Sequence, residues 1–226
     1  MGRTKMKSIK EWTLGYSRTG NPIEAIQVGN AGEVIHFYGG VHGDEPEGVS
    51  LAMRLKEYVT QHVSEFKDKT IIIVPIVNPD GYKNRTRVNA NLCDLNRNLP
   101  SRDWKSSADQ PRYYPGLAPA SEPETQAIVD LIEQTRPKKI ISFHSLTSNQ
   151  INYDGPAQKL AQAMARHNLY PVTDDIGYPT AGSLGSYAGR DKNIAVITYE
   201  LLEKISPDDA WSEALKALLE AIHFKL

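Results

Sequence analysis

The chain has 226 residues, with 26 Lys and Arg against 27 Asp and Glu and a formal net charge of -1. That balance argues against a nucleic-acid or anionic-membrane partner and favours small or peptidic ones, and the length suits one domain over residues 1–226, undivided by any Ser/Gly-rich linker or charge block. The single cysteine, Cys93, excludes an intrachain disulfide framework, and with a basic start (MGRTKMKSIKEWTLGYS) that lacks an apolar stretch of signal-peptide length it points to a cytoplasmic protein.

In chain order, EAIQVG (24–29) and VIHFYGG (34–40) have the short Ile/Val-rich runs of strands. GGVHGDEPEG (39–48) follows as a turn, since Gly and Asp are turn residues and Pro46 suits the first position of a helix. That helix is expected over Pro46–Lys67, with Val49, Ala52, Met53, Leu55, Tyr58, Val59 and Val63 as its apolar stripe. TIIIVPIVN (70–78) is a third strand, apolar on both faces as in a buried parallel sheet. Ser121-Glu-Pro-Glu124 has the form of a capping box opening a helix to Thr135. KKIISFHS (138–145) is a strand, Gly155–Leu169 a helix, AVITYELLE (195–203) a strand, and Ser206 caps a last helix from Pro207 to Phe224. The alternation predicts an α/β fold with a largely parallel sheet. Residues 79–120, rich in Asn, Arg, Pro and Tyr, and residues 172–193, rich in Gly and Tyr, fit no element. Loops of that length in a compact domain are usually functional.

Ligands of open α/β sheets gather beyond the carboxyl ends of the strands. His42 and Glu45, His144, and Glu200 each fall at such an end. Two His and one Glu form an attested catalytic zinc set that leaves the fourth position to water, and His42, Glu45 and His144 would supply it. Taken alone, H-x-x-E is more often a solvated helix start; His144 and Glu200 at the other strand ends shift the balance toward metal. The stretch NPDGYKNRTRVNANLCDLNRN (78–98) carries more planar hydrogen-bonding groups than a linker needs. Arg97, helped by Asn96, suits a carboxylate clamp, and Arg87 suits an oxyanion. Asp94, Asn89 and Asn98 are expected mainly to hold the loop. Asp44 and Glu47 fall outside the ligand set, Asp44 at most orienting a ligand. Cys93 is expected to pack, and His36, His62, His167 and His223 to be packing or surface residues.

These segments, together with GYSRTGNPIEAIQVG, GYPTAGSLGSY and ITYELLE, make the chain resemble the zinc metallocarboxypeptidases of the carboxypeptidase A superfamily over nearly its whole length. The resemblance implies a three-layer α/β/α sandwich with a mixed, largely parallel central sheet. It implies one zinc ion per chain on His42, Glu45 and His144, and Arg87 polarising the scissile carbonyl. Asn96 and Arg97 would hold the carboxylate beside the cleaved amide, Glu200 would be general base and then acid, and Tyr178 a mobile tyrosine capping the substrate. Within the superfamily, RVNANLCDLNRN and GYPTAGSLGSYAGRDKNIAVITYEL are most similar to murein peptide amidases. That similarity implies hydrolysis of the γ-D-glutamyl-meso-diaminopimelate bond of a small murein peptide, without nucleic acid or membrane, in a monomer or homodimer. Arg190, Arg112, Tyr113 and Tyr114 are candidates for the far amine and carboxylate of diaminopimelate, and Leu184 and Gly185 lie in the segment that lines the specificity pocket of relatives. Release of C-terminal L-amino acids, deacylation of N-acyl amino acids as in aspartoacylase-like relatives, and a catalytically silent binding module stay open.

Overall fold

Eight strands form one mixed sheet in the computed structural model, which describes residues 9–226; residues 1–8, with Arg3, Lys5 and Lys7 of the basic start, lie outside the described residues. The strands are β1 (Ile9–Tyr16), β2 (Pro22–Val28), β3 (Glu33–Tyr38), β4 (Lys69–Val74), β5 (Lys139–Leu146), β6 (Gln150–Asp154), β7 (Val172–Thr173) and β8 (Ala195–Leu202), arranged β1-β2-β4-β3-β5-β8-β6-β7. The centre, β4-β3-β5-β8, is parallel, whereas β1, β2 and β6 join antiparallel. The parallel strands are buried on both faces, and successive residues feed different cores. Ile71 and Ile73 pack with helices α1 (Pro46–Gln61), α4 (Gln158–Ala165) and α5 (Pro207–His223), while Ile72 and Val74 pack with α3 (Pro123–Thr135) and with Leu95, Leu99 and Leu184 of the long segments. The result is the three-layer α/β/α sandwich.

Several boundaries differ from the sequence expectation, each for a local reason. The helix from Pro46 stops at Gln61, where His62 leaves helical geometry at φ -111° and a 3₁₀ turn over Val63–Phe66 completes the segment. Ser206 caps α5 as expected, accepting from the Asp209 amide at 3.1 Å. Ser121 does not cap α3. Glu122 holds the cap position without a side-chain cap bond, and Glu124 turns inward to accept from the Arg18 amide at 3.0 Å and Asn89 Nδ2 at 3.1 Å. A buried asparagine network has taken the groups a capping box would use. The segment 79–120 contains a short helix, α2 (Pro79–Asn84), capped by Asn78 and ended by Arg85 at φ 55°. Among the described residues no helix is long and apolar enough to cross a membrane.

Candidate active site

Past the end of β3 the chain turns so tightly that a Cβ at Gly43 would sit 1.9 Å from the carbonyl carbon of Gly81. The Gly43 amide donates to Thr86 O at 3.0 Å, which anchors the turn on α2 and its exit. Glu45 then occupies the cap position of α1, with Pro46 in the first turn, yet its carboxylate makes no cap bond. It is aimed at two histidines instead: Oε1 lies 2.7 Å from His42 Nδ1, and Oε2 lies 2.9 Å from His144 Nδ1. The cap position usually goes to Ser, Thr, Asp or Asn; here it holds a Glu whose carboxylate is committed to the histidines.

His144 lies near the carboxyl end of β5 and faces Glu200 across the parallel β5–β8 register. Its Nδ1 lies 3.1 Å from His42 Nδ1, and donor atoms of His42, Glu45 and His144 all fall within 4.8 Å of one another. Around a tetrahedral zinc with bonds of about 2.0–2.1 Å, ligand atoms stand roughly 3.3 Å apart. Two ring nitrogens and a carboxylate converging at nearly that spacing fit such an ion. The far side of each ring is held as well: His42 Nε2 is 3.1 Å from Asp94 Oδ1, and His144 Nε2 is 3.0 Å from Ser142 Oγ. Partners of this kind set the orientation and tautomer of a metal-binding imidazole. The Glu45 carboxyl, though burial opposes its charge, is held well below the usual carboxylate range by His42 and His144.

Asp94 does more than hold the loop. Its Oδ2 accepts from Arg87 Nε at 2.9 Å, and its Oδ1 also accepts from the Asn96 amide at 2.9 Å, so one buried carboxylate orients a histidine, an arginine and the 3₁₀ turn Leu95–Arg97. Asp44, the residue considered for orienting a ligand, is exposed. The Arg87 Nη1 reaches 3.4 Å from Glu45 Oε1 and faces the same cleft.

Glu200 is 2% exposed, and its Oε2 has no hydrogen-bond partner among the described residues. Burial, reinforced by Glu45 and opposed by His144 and Arg87, raises its pKa to about 7. Asn96 Oδ1 accepts from the Leu184 amide at 2.9 Å, tying the Arg/Asn loop to residues 172–193. The Arg97 guanidinium, buried, stands 5.4 Å from the ring of Tyr113 and 5.8 Å from that of Tyr178. Tyr178 stacks on Tyr113 at 6.0 Å between ring centroids. The metal-type cluster, Arg87, Asn96, Arg97, Tyr178 and Glu200 line a single cleft.

The Tyr113 ring lies over Arg87 and Arg97, at 5.2 and 5.4 Å. Arg112 covers the same ring at 5.3 Å, exposed, and the Tyr114 carbonyl accepts from the Asp94 amide at 2.8 Å. No spacing in the sequence pairs Tyr113 with Arg87. Cys93 is buried and its thiol pushed up, chiefly by burial, as suits packing. His36 is buried against Tyr38 and Thr135, while His62 stacks on Tyr58 and His223 on Phe66.

Residues 4–163 match the zinc carboxypeptidase family. The chain belongs to that family. It is 34% identical over 200 residues to murein peptide amidase A of Escherichia coli strain K12, a match covering 82% of this chain and 77% of that one. The crystal structure of murein-tripeptide amidase from Escherichia coli O157 has a TM-score of 0.74 at 30% identity, covering 96% of this chain and 93% of the other. Carboxypeptidase A from Helicoverpa armigera, at TM-score 0.80 and 21% identity over 95% of this chain and 68% of that one, shares the fold. As a member of the zinc carboxypeptidases the chain is a hydrolytic enzyme, and His42, Glu45 and His144 are a group able to bind a metal.

Proposed function

We propose that this zinc carboxypeptidase hydrolyses the amide between γ-D-glutamate and meso-diaminopimelate in small murein peptides, in cytoplasmic recycling of the cell wall. It holds one zinc ion per chain on His42, Glu45 and His144. The observation that carries this reading is the likeness to murein peptide amidase A over 82% of the chain. The cleft supports it with a metal-type cluster, a buried unpartnered carboxylate and two arginines.

Zinc, when bound, supplies Lewis acidity that brings water's pKa toward neutrality and polarises a carbonyl. Glu200 takes the proton of the attacking water at Oε2, which has no hydrogen-bond partner among the described residues. Arg87, oriented by Asp94, offsets the negative charge growing on the carbonyl oxygen. Glu200 then hands its proton to the leaving amine. Arg97 and Asn96 receive the carboxylate on the carbon that bears the cleaved nitrogen. In diaminopimelate that carboxylate has the same place relative to the amide as the terminal carboxylate of an ordinary peptide, so one clamp serves both. Tyr178 closes over the bound residue from its stack on Tyr113.

Mass spectrometry of zinc-loaded protein incubated with L-Ala-γ-D-Glu-meso-diaminopimelate should show free diaminopimelate and L-Ala-γ-D-Glu. Trimming of C-terminal L-peptides with the murein tripeptide left intact would replace the reading with an ordinary carboxypeptidase. Glu200→Gln should keep its zinc and lose nearly all turnover; substantial amidase activity in that variant would remove Glu200 from the base position.

A further inference from the structure

Glu47 stands in the first turn of α1, two residues beyond Glu45, yet its carboxylate meets a different set of partners. Oε2 accepts from Ser145 Oγ at 3.0 Å, and Oε1 accepts from the Lys204 amide at 2.8 Å. Ser145 directly follows His144 on β5, and Lys204 lies four residues past Glu200, just beyond the end of β8. One side chain thus joins α1, β5 and the exit of β8, the elements that present Glu45, His144 and Glu200.

Both ends of this tie fall where the backbone needs holding. α1 meets β5 so closely that a Cβ on Gly48 would sit 2.7 Å from Phe143 O. Just beyond, the buried Ser145 sends its amide toward Glu45 Oε2, the oxygen that also faces His144 Nδ1. That amide contact is 3.4 Å long, a weak anchor by itself. The hydroxyl bond to Glu47 is the firmer of the two, so the place of the Ser145 amide behind Glu45 is set from Glu47. At the other end the β5–β8 ladder stops with Leu146 opposite Leu202, and the Glu203 amide donates to Leu146 O at 2.8 Å. The chain then turns through Lys204 at φ 65°, a costly conformation for a residue with a Cβ, and the bond from its amide to Glu47 offsets that cost. A carboxylate in the first turn of a helix is also favoured by the helix dipole, but that effect requires no bond to β5 or β8.

We propose that Glu47 is a positioning residue of the metal centre: through Ser145 it fixes the Glu45 carboxylate and the end of β5 that carries His144, and through Lys204 it pins the chain beyond Glu200. The proposal rests on His42, Glu45 and His144 holding the metal, and not on which amide is cleaved. Reach and hydrogen bonding matter here, not charge. Glutamine has the same reach: its Oε1 accepts from the Lys204 amide and its Nε2 donates to Ser145 Oγ, since a hydroxyl accepts as well as donates. Aspartate keeps the charge but is one carbon too short to span both partners.

Zinc affinity, measured by competition with a chelator, should fall about tenfold in Glu47→Ala, the low end of the cost of losing a group behind a metal ligand. Glu47→Asp should fall with it, whereas Glu47→Gln should keep the wild-type value. Cobalt(II), bound by the same nitrogen and oxygen ligands and visible in absorption where zinc is silent, reads the ligand geometry itself. Its spectrum should change in the Ala and Asp variants and return in Gln, a pattern that a mere loss of stability does not give. Ser145→Ala breaks one of the two bonds and should cause a smaller loss of zinc affinity, with no further loss when added to Glu47→Ala. Where Glu47→Ala does not fold, Ser145→Ala decides: a loss supports the tie and none overturns it. Wild-type affinity and spectrum in Glu47→Ala, or a loss in Glu47→Gln as large as in Glu47→Ala, overturns the proposal. Protein that takes up neither metal overturns the metal reading instead. Hydrogen exchange at the Ser145 and Lys204 amides of the metal-free chain then still decides the tie: it should be faster in Glu47→Ala and unchanged in Glu47→Gln, and equal exchange in all three proteins overturns it.

Discussion

Asp94 shows how much one carboxylate decides. It touches His42 on one oxygen and Arg87 on the other, with no exposure to water. Burial alone would push its proton on, yet His42 and Arg87 hold it well below the usual range, so it stays ionised. Asp94→Asn keeps the shape and removes the charge that aligns both partners. Zinc affinity, measured by competition with a chelator, should fall by about 10–100-fold, as for other carboxylates behind a metal-binding histidine. Unchanged affinity would reduce Asp94 to a loop residue. The sequence hides this role because Asp94 and His42 stand 52 residues apart, whereas Asp44, two residues from His42, points into solvent. Proximity along a chain is a poor guide to which acid meets a given imidazole, since a turn sends neighbouring side chains in different directions.

At the scale of elements, the turn between β3 and α1 is held by backbone against backbone. Gly43→Ala would drive a methyl into the peptide of Gly81 and Tyr82, both of them main chain and unable to swing aside. The turn must then part from α2, taking His42 and Glu45 out of line with His144. Overpacking of this sort costs about 1–3 kcal/mol, so urea unfolding should show a clear loss of stability, with zinc affinity falling in parallel. Gly20→Ala, where nothing lies within 4 Å, should show only the cost of its positive φ of 84° and leave zinc affinity alone. Equal effects at the two glycines would show that space at Gly43 is not what matters. Elements whose signals are local were legible beforehand: the Ile/Val runs of β3, β4, β5 and β8, and the Ser-Pro start of α5. β1 carries no such signal because it is an edge strand, mostly exposed along its length, and β6 carries none because it is only five residues long with Ile151 as its one aliphatic side chain. The π-helical turn over Gly185–Asp191 has no local signal either, because its glycines answer to Asp154, which lies on another element.

Across the whole molecule, the site and the stability sit at different places. The carboxyl edge of the sheet collects the polar cluster, while the two cores lie on the faces of the sheet; strand order, which sets β3 between β4 and β5, leaves no mark in any one segment. His36 belongs to the structural part. It lies in β3 with no exposure, its Nδ1 2.6 Å from Tyr38 OH and its Nε2 2.9 Å from Thr135 Oγ1, joining the sheet to α3. Burial lowers its pKa from 6.5 to about 3. Between those values the folded chain keeps this ring neutral while the unfolded chain protonates it, so the unfolded state binds one more proton. Stability contributed through His36 is therefore intact above pH 6.5 and is lost as the pH falls toward 3, by about 1.4 kcal/mol per pH unit. His36→Gln removes the titration. The variant should be less stable than wild type at pH 7.5, for want of well-placed partners to Tyr38 and Thr135, yet lose stability less steeply between pH 6.5 and 4.5, so the two curves converge. Urea midpoints taken across that range, with zinc chelated so that metal release does not enter, measure the difference in slope. Parallel curves would mean that His36 takes its proton within the fold, and acid sensitivity would then have to come from the carboxylates at the sheet edge.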